Sequence, residues 1–207
     1  MEKRKKNRPG SLLIALGGVM ILSALGLLFH NELESSQAGR QARQQLARVQ
    51  EAVFAQTAPT VSEHVNPYDQ AAVEESREMT VKEVGGYDCI GFLSISKLEL
   101  ELPVMAQWSY PRLRIAPCRH MGSTKSDDLV IAAHNYSTHF GHLRDLEAGD
   151  LVQFVDMDGL VSTYAVCSVG IIPPDGVEQV QDPALDLVLY TCTYGGKSRV
   201  MVGCQRA

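Results

Sequence analysis

Beyond its first ten residues the chain has no concentration of positive charge. Those ten residues carry a formal charge of +4, whereas the whole 207-residue chain carries −5, so the remainder carries −9. Binding to nucleic acid requires a basic face, which so acidic a remainder does not supply. A short basic stretch directly before an apolar run is instead typical of a membrane protein.

Closely spaced cysteine motifs are also lacking. The five cysteines stand at positions 89, 118, 167, 192 and 204, and no two of them form a close motif. An odd number of cysteines outside a membrane suggests disulfides plus one free thiol, and the spacing leaves the pairing open. We expect mostly buried free thiols, because unpaired cysteine packs as a small apolar residue.

A standard zinc motif is missing as well. His134, His139 and His142 are separated by four and two residues, and no acidic residue stands close to His134 as a further ligand. This spacing matches no usual zinc site, so we predict no metal site. We expect His139 and His142 to be loop or surface residues. No internal repeat or low-complexity segment is present.

One long uncharged run is present, from Ser11 to Phe29. A helix of this length rises about 28 Å at ~1.5 Å per residue, enough to cross a hydrocarbon core. The preceding basic tail predicts a cytoplasmic N-terminus and an extracytoplasmic remainder. A cleaved signal peptide is the alternative; the length of the run and the lack of a small-residue cleavage site favour a retained anchor.

The region after this run divides into two parts. Residues 31–57 carry a helical stripe of Ala42, Leu46, Val49 and Val53, which predicts a juxtamembrane helix. The stripe leaves open whether the helix packs on the domain, dimerises or acts as a spacer. Residues 58–84 lack periodicity and contain two prolines, so we predict a linker there.

From residue 85 the pattern changes to short β-type runs between turn residues. We predict strands over residues 90–95, 98–102 with a stop at Pro103, 128–133, 151–155, 160–169, 187–191 and 199–205. The turn Asp156-Met-Asp-Gly159 indicates a hairpin between two of them. Many short strands with few helical stretches favour a mainly β fold, a closed barrel with short helices.

Three polar residues stand at predicted strand ends. Cys192 follows the run Leu187–Thr191, Arg199 opens the next strand, and His134 follows Leu129–Ala133. Cysteine attacks as a thiolate, which a neighbouring imidazolium or guanidinium stabilises. Arg199 can also donate hydrogen bonds to a carbonyl or an oxyanion. By strand alternation Cys204 belongs to the core, so Cys192 is the candidate nucleophile.

The ordered set resembles the sortase family, the membrane-anchored cysteine transpeptidases of Gram-positive cell surfaces. The resemblance covers residues 90–207. It depends on the opening strands (90–104), the histidine motif Ala133-His134-Asn135 and the cysteine motif Leu189-Tyr-Thr-Cys192, followed by Arg199. Between these motifs, the segment 140–150 matches the family at Phe140, Leu143, Leu146, Gly149 and Asp150. It implies an eight-stranded sortase-type β-barrel after a single N-terminal transmembrane helix. The resulting division is a cytoplasmic tail (1–10), a signal anchor (11–29), a juxtamembrane helix and linker (30–84), and a catalytic domain (85–207).

The resemblance also implies a two-step acyl transfer. Cys192 would cleave an LPxTG-like sorting signal of a surface protein and hold the acyl group as a thioester. His134 would act as acid and then base, Arg199 would bind substrate and the oxyanion, and Thr191 would line the substrate groove. The acceptor would be the amine of a cell-wall precursor or a pilin lysine. No cofactor is implied; calcium stimulates some sortases, but nothing in this sequence marks a calcium site.

Two other functions use the same pattern. A surface cysteine hydrolase or protease would pass the acyl group to water, and a non-catalytic, membrane-tethered binding module would keep the barrel alone. Within the family, the short interval between Cys192 and Arg199 excludes an elaborate helix or lid there, and the lack of a long insertion between residues 150 and 187 argues against the larger class B-type build. A single N-terminal anchor without a C-terminal apolar segment argues against a typical pilin-polymerising enzyme. A compact housekeeping or accessory anchoring enzyme is therefore favoured.

Overall fold

The computed structural model describes residues 8–57 and 78–207, which form a long N-terminal helix and a β-barrel. The remainder of the predicted linker, residues 58–77, lies outside the described residues. Helix α1 spans Arg8–Thr57 without interruption. The most apolar 18 residues of α1 have a mean hydropathy of 2.6 and none is buried, so by length and composition this helix is a candidate membrane span.

Nine strands follow the helix. They are β1 (Lys82–Val84), β2 (Tyr87–Ile95), β3 (Leu100–Met105), β4 (Cys118–Met121), β5 (Leu129–Ala133), β6 (Leu151–Asp156), β7 (Val161–Ile172), β8 (Leu187–Cys192) and β9 (Arg199–Arg206). The helices between them are single turns: α2 (Tyr110–Leu113), α3 (Val177–Val180), and 3-10 turns at Ser96–Leu98 and Leu143–Asp145.

Eight of these strands close into a barrel, as predicted. Their order is β2-β3-β4-β5-β8-β9-β7-β6, and β6 pairs back onto β2. The pairs β3–β4 and β5–β8 are parallel, and the others are antiparallel. The short β1 adds to β2 outside this ring.

A glycine makes the closure possible. Gly91 of β2 faces Asp156 of β6 beside a β-bulge, with φ at 144°. A Cβ atom at this position would collide with the backbone carbonyl of Val155. Only glycine fits, because the two backbones approach too closely for any side chain.

The barrel interior holds the main core. Alternate residues of each strand point inward, including Ile131 and Leu189, which are fully buried. A second apolar cluster lies outside the barrel, where Leu46, Val49 and Val53 of α1 pack against Phe92 and its neighbours. The predicted helical stripe is therefore confirmed, and it packs on the domain.

Two strand predictions were wrong. Leu98 belongs to a 3-10 turn, and β3 begins at Leu100 and continues through Pro103. The proline does not stop the strand, because β3 pairs with β4 only at Met105. Along the rest of its β4-facing side, β3 forms no interstrand hydrogen bonds that would need the N–H that proline lacks. The predictions also missed β1, which lies inside the expected linker, and β4.

Candidate active site

The ends of β5 and β8 bring the histidine and the cysteine to one place. These strands are parallel neighbours, with Ala133 in register with Thr191. The next residues along each strand are His134 and Cys192. Because the two strands run side by side in the same direction, the imidazole and the thiol lie at the same end of the strand pair.

A tight turn brings the arginine to the same edge. Cys192 and Arg199 are directly opposite each other in the antiparallel pair β8–β9. The turn between them is closed by backbone hydrogen bonds from Thr193 to Ser198 (3.0 Å) and from Gly196 to Thr193 (2.9 Å). Opposed residues on one face have Cβ atoms about 4.5–5.5 Å apart, so the side chains of Cys192 and Arg199 start from neighbouring positions.

The pleat of β8 separates core from site. Leu187, Leu189 and Thr191 point into the barrel, whereas Cys192 is partly exposed on the other face. Cys204 is fully buried in the barrel core, as its alternation predicted. All five cysteines are free thiols in the structure; three are buried, and Cys167 is exposed.

His134 is half-buried, and its surroundings favour the neutral ring. Burial lowers the pKa of His134, the positive charge of Arg114 lowers it further, and the carboxylate of Glu34 in α1 opposes both. The lowered pKa of His134 favours the neutral imidazole over the imidazolium. Neither Glu34 nor Arg114 was foreseen, since they lie 100 and 20 residues from His134 in sequence.

Arg199 is held by the turn that precedes it. Its Nη1 donates hydrogen bonds to the carbonyls of Gly196 and Ser198, both at 3.0 Å. These bonds hold the long side chain on the turn, beside the groove that Cys192 also lines. An arginine fixed in this way presents its planar fork with little loss of side-chain freedom when it binds a ligand.

Thr191 links the two strands. Its hydroxyl donates a hydrogen bond of 2.8 Å to the carbonyl of Ala133, and the side chain is 2% exposed. This bond joins the residues immediately before Cys192 and His134, so it fixes the spacing of the two strand ends. The expected contact between Thr191 and a substrate stays a prediction.

An apolar groove of about 170 Å³ opens at these residues. His134, Cys192 and Arg199 all line it. Its other walls come from the segment after β3, from α2 and from the chain after β7, and include Trp108, Tyr110, Leu113, Ile172, Pro173 and Val180. A peptide with apolar side chains fits such a surface. The wall after β7 was not foreseen from the sequence.

Two aromatic residues at the groove behave as a pair. Trp108 and Tyr110 stand edge to face with ring centroids 4.9 Å apart, and both are substantially exposed. The groove is also lined by Tyr190 and His120, and the Tyr190 hydroxyl lies 3.0 Å from Nδ1 of His120. Trp108 and Tyr110 both belong to the groove wall.

His139 differs from its expected place. It belongs to the loop after β5, as predicted, but it is 1% exposed, and neither ring nitrogen has a hydrogen-bond partner. Burial and the neighbouring His134 lower its pKa to about 4, whereas the backbone at Ala38 and Ile115 opposes the shift. His142 is exposed and lies 3.1 Å from Asp145.

Within residues 8–57 and 78–207, no group of three or more His, Cys, Asp or Glu side chains is arranged to hold a metal ion. The groove is lined by the Cys192 thiol, the His134 imidazole and the Arg199 guanidinium. These three groups can supply a nucleophile, a proton donor and acceptor, and a hydrogen-bond donor for an oxyanion.

A family model described as Sortase domain matches residues 93–207, more than half of the chain. The chain belongs to the sortase family. The resemblance noted in the sequence is therefore confirmed, and so is the barrel fold that it implied. A comparison with curated proteins found no match.

Solved sortase structures share this fold. Sortase C1 from Streptococcus suis is 25% identical over 57% of this chain and 73% of that chain, with a TM-score of 0.50. A pilus-related sortase C of Group B Streptococcus is 22% identical over 83% and 94%, with a TM-score of 0.54. A sortase D5 transpeptidase of Clostridium perfringens is 17% identical over 63% and 82%, with a TM-score of 0.53. The choice between anchoring and pilin-polymerising subclasses stays a prediction.

Proposed function

We propose that this chain is a membrane-anchored cysteine transpeptidase. It cleaves an LPxTG-like sorting signal between Thr and Gly and transfers the surface protein to an amine, either of a cell-wall precursor or of a pilin lysine. Helix α1 anchors the enzyme with its N-terminus in the cytoplasm and the barrel outside. The observation that carries this proposal is the strand register that sets Cys192 opposite Arg199 and beside His134 on one groove.

The first step forms a thioester. The Cys192 thiolate attacks the threonine carbonyl carbon, and the Arg199 guanidinium donates hydrogen bonds to the resulting oxyanion. The C–N bond then breaks, and the His134 imidazolium gives its proton to the leaving amine. The lowered pKa of His134 makes its imidazolium a stronger acid and at the same time a minor form at neutral pH, so this step should be faster at lower pH.

The second step releases the product. An acceptor amine attacks the thioester carbonyl, and the neutral His134 imidazole takes the proton that the amine loses. The C–S bond breaks and the thiolate is restored. The two steps balance: the proton that His134 gives to the leaving amine is replaced by one from the acceptor amine, the C–S bond that forms is broken again, and no atom changes its oxidation state.

The test uses the full chain in detergent micelles with a small library of LPxTG-like peptides and an added primary amine. Mass spectrometry follows the thioester, the hydrolysis product and the transfer product. We expect amine-dependent transfer in the wild type and none in Cys192→Ala, whose thermal unfolding should match that of the wild type because one partly exposed sulfur is removed.

Other results would contradict the proposed nucleophile or favour a different function. Transfer that persists in Cys192→Ala would contradict the assignment of the nucleophile. Hydrolysis that ignores the amine would favour a surface cysteine hydrolase. An inert protein whose Cys192 also resists alkylating reagents in the folded state would favour a binding module.

A further inference from the structure

The anchor helix touches the loop that carries His134. The loop follows β5 and runs from His134 to His142, and α1 crosses it at Ser35, Ala38 and Gly39, all of which are buried. Ser35 lies six residues beyond Phe29, the end of the predicted membrane segment, so the contact is about 9 Å further along the helix at ~1.5 Å per residue.

Hydrogen bonds join the two segments across more than 100 residues of sequence. The Thr138 hydroxyl donates to the backbone carbonyl of Ser35 at 2.8 Å, and the hydroxyls of Ser35 and Ser137 are 2.8 Å apart. A helix carbonyl that accepts from a loop hydroxyl fixes the loop relative to the helix axis in a way that an apolar contact does not.

Gly39 allows this close approach. A Cβ atom at Gly39 would lie 2.7 Å from Cγ2 and 2.8 Å from Cβ of Thr138. The three atoms nearest to this added Cβ all belong to the Thr138 side chain. Thr138 can therefore occupy its position only because residue 39 has no side chain. Glycine is costly inside a helix, and here its small size has a packing reason.

The loop transmits this contact to His134. The backbone N–H of Phe140 donates to the carbonyl of His134 at 3.1 Å, which closes the loop on itself. The rings of His134 and Tyr136 have centroids 5.0 Å apart, and those of Tyr136 and His139 are 5.5 Å apart. A displacement at Thr138 therefore reaches the imidazole through one short, packed loop.

We propose that the anchor helix is a positioning element of the active site: the contact of Ser35 and Gly39 with Ser137 and Thr138 sets the orientation of the His134 imidazole. This inference rests on the proposed function only in giving His134 a role in proton transfer. It assigns positioning roles to Ser35, Gly39 and Thr138, none of which lines the groove at Cys192.

As a consequence, helix α1 both anchors the enzyme and positions the residue that transfers the proton. A general acid acts only from within hydrogen-bonding reach of the leaving group, and small misplacements have large effects on rate. A helix that both leaves the predicted membrane segment and holds the histidine loop keeps the site at a fixed place relative to the anchor. Donor binding in the apolar groove does not involve this contact.

The test compares two glycine substitutions on the same helix, in the full chain in detergent micelles. Gly39→Ala adds a methyl group against Thr138, whereas Gly26→Ala adds the same group where nothing lies within 4 Å. We expect Gly39→Ala to lower kcat for acyl transfer about tenfold with an unchanged KM for the donor peptide. Gly26→Ala should behave as the wild type, and both should unfold at wild-type temperatures.

A second readout does not depend on turnover. In protein labelled with 13C-histidine, the His134 ring resonance is titrated against pH and assigned with His134→Gln. The titratable and charged groups facing this ring are Arg114, Glu34, Tyr136 and His139. We expect the midpoint to rise in Gly39→Ala, since burial is the largest cause of the low pKa of His134 and the methyl group loosens the contact.

A double-mutant cycle identifies the path. Thr138→Gly removes the three atoms nearest to the new methyl group, so Gly39→Ala should have little further effect in that background. Equal losses in both backgrounds, or a Gly39→Ala enzyme with wild-type kcat and His134 titration, would overturn the proposal. If the wild type shows no transfer at all, the proposed function fails, and the titration still decides the positioning role.

Discussion

At the residue scale, burial and two charged groups from separate parts of the chain set the protonation of His134. Burial and Arg114 favour the neutral ring, and Glu34 favours the imidazolium. Since the first step of the proposed reaction consumes the imidazolium, these charges regulate the rate near neutral pH. Arg114 follows α2, and Glu34 lies on α1, so both neighbours depend on how the chain packs.

We expect opposite shifts from two neutral substitutions. Glu34→Gln removes the charge that raises the pKa of His134, so the titration midpoint should fall, and the imidazolium-dependent limb of the pH–rate profile should move to lower pH. Arg114→Gln should move both upward. The shifts are measured from the His134 ring resonance and from kcat at low ionic strength, where partly exposed charges act most strongly.

The control is Glu32→Gln, which removes the same charge from the same exposed helix but does not affect His134. Shifts of the same sign in Glu34→Gln and Arg114→Gln would contradict this account, as would shifts no larger than in the control. The sequence could predict Cys192, His134 and Arg199 because neighbouring strands end together. It could not predict Glu34 or Arg114, because local patterns carry no information about contacts at such separations.

At the scale of elements, the histidine loop contains a buried, uncharged His139. In the unfolded chain its pKa is close to 6.5, whereas in the folded protein it is about 4. Between these values the unfolded chain binds more protons, so stability falls as the pH decreases through this window. Above pH 6.5 both forms are neutral and the effect disappears.

We expect acidification to destabilise the wild type more than His139→Phe. From pH 7.5 to pH 5 the lowered pKa corresponds to about 2 kcal/mol, or roughly 4–8 °C in the thermal midpoint of a chain of this size. The difference between the midpoints at the two pH values is measured for both proteins by thermal unfolding. His142→Gln, a change at an exposed histidine, should keep the wild-type dependence. Identical pH dependence in His139→Phe and the wild type would refute the role of His139.

The elements themselves were predicted unequally. Strands β5 to β9 have apolar runs or clear alternation, and one strong turn signal joins β6 to β7, so their positions follow from local patterns. Strand β4 reads Cys118-Arg-His-Met121 and β1 has three residues, so neither gives a periodic signal. Both strands exist because neighbouring strands offer them hydrogen bonds, which is a tertiary effect.

At the scale of the whole molecule, the second half of α1 is a structural part of the barrel domain. Val49 and Val53 are almost fully buried against Cys89, Phe92 and Met157. The Gln45 side-chain amide also donates to the carbonyl of Val84 in β1. The helical stripe was predictable from sequence, but the surface that it covers was not, because a stripe specifies a buried face and not its partner.

We therefore expect the fragment 85–207 to behave poorly, although it contains all three candidate catalytic residues. It lacks α1 and β1, so Phe92, Met157 and their neighbours become exposed, and apolar patches of this kind promote association. A fragment of residues 31–207 keeps both elements and should remain a folded monomer. Size-exclusion chromatography with light scattering and hydrogen exchange of the β2 amides compare the two fragments.

A matched pair of substitutions in the full chain separates docking from chain length. Val49→Asp introduces a charge into the contact between α1 and the barrel, where an unpaired carboxylate is costly, whereas Ala47→Asp introduces the same charge on the exposed face two residues away. We expect a lower thermal midpoint and faster β2 exchange only in Val49→Asp. If the fragment 85–207 were monomeric with native exchange, and Val49→Asp were as stable as Ala47→Asp, the helix would serve for anchoring alone. The barrel would then be an independent domain, and the histidine loop would have to hold its shape without α1.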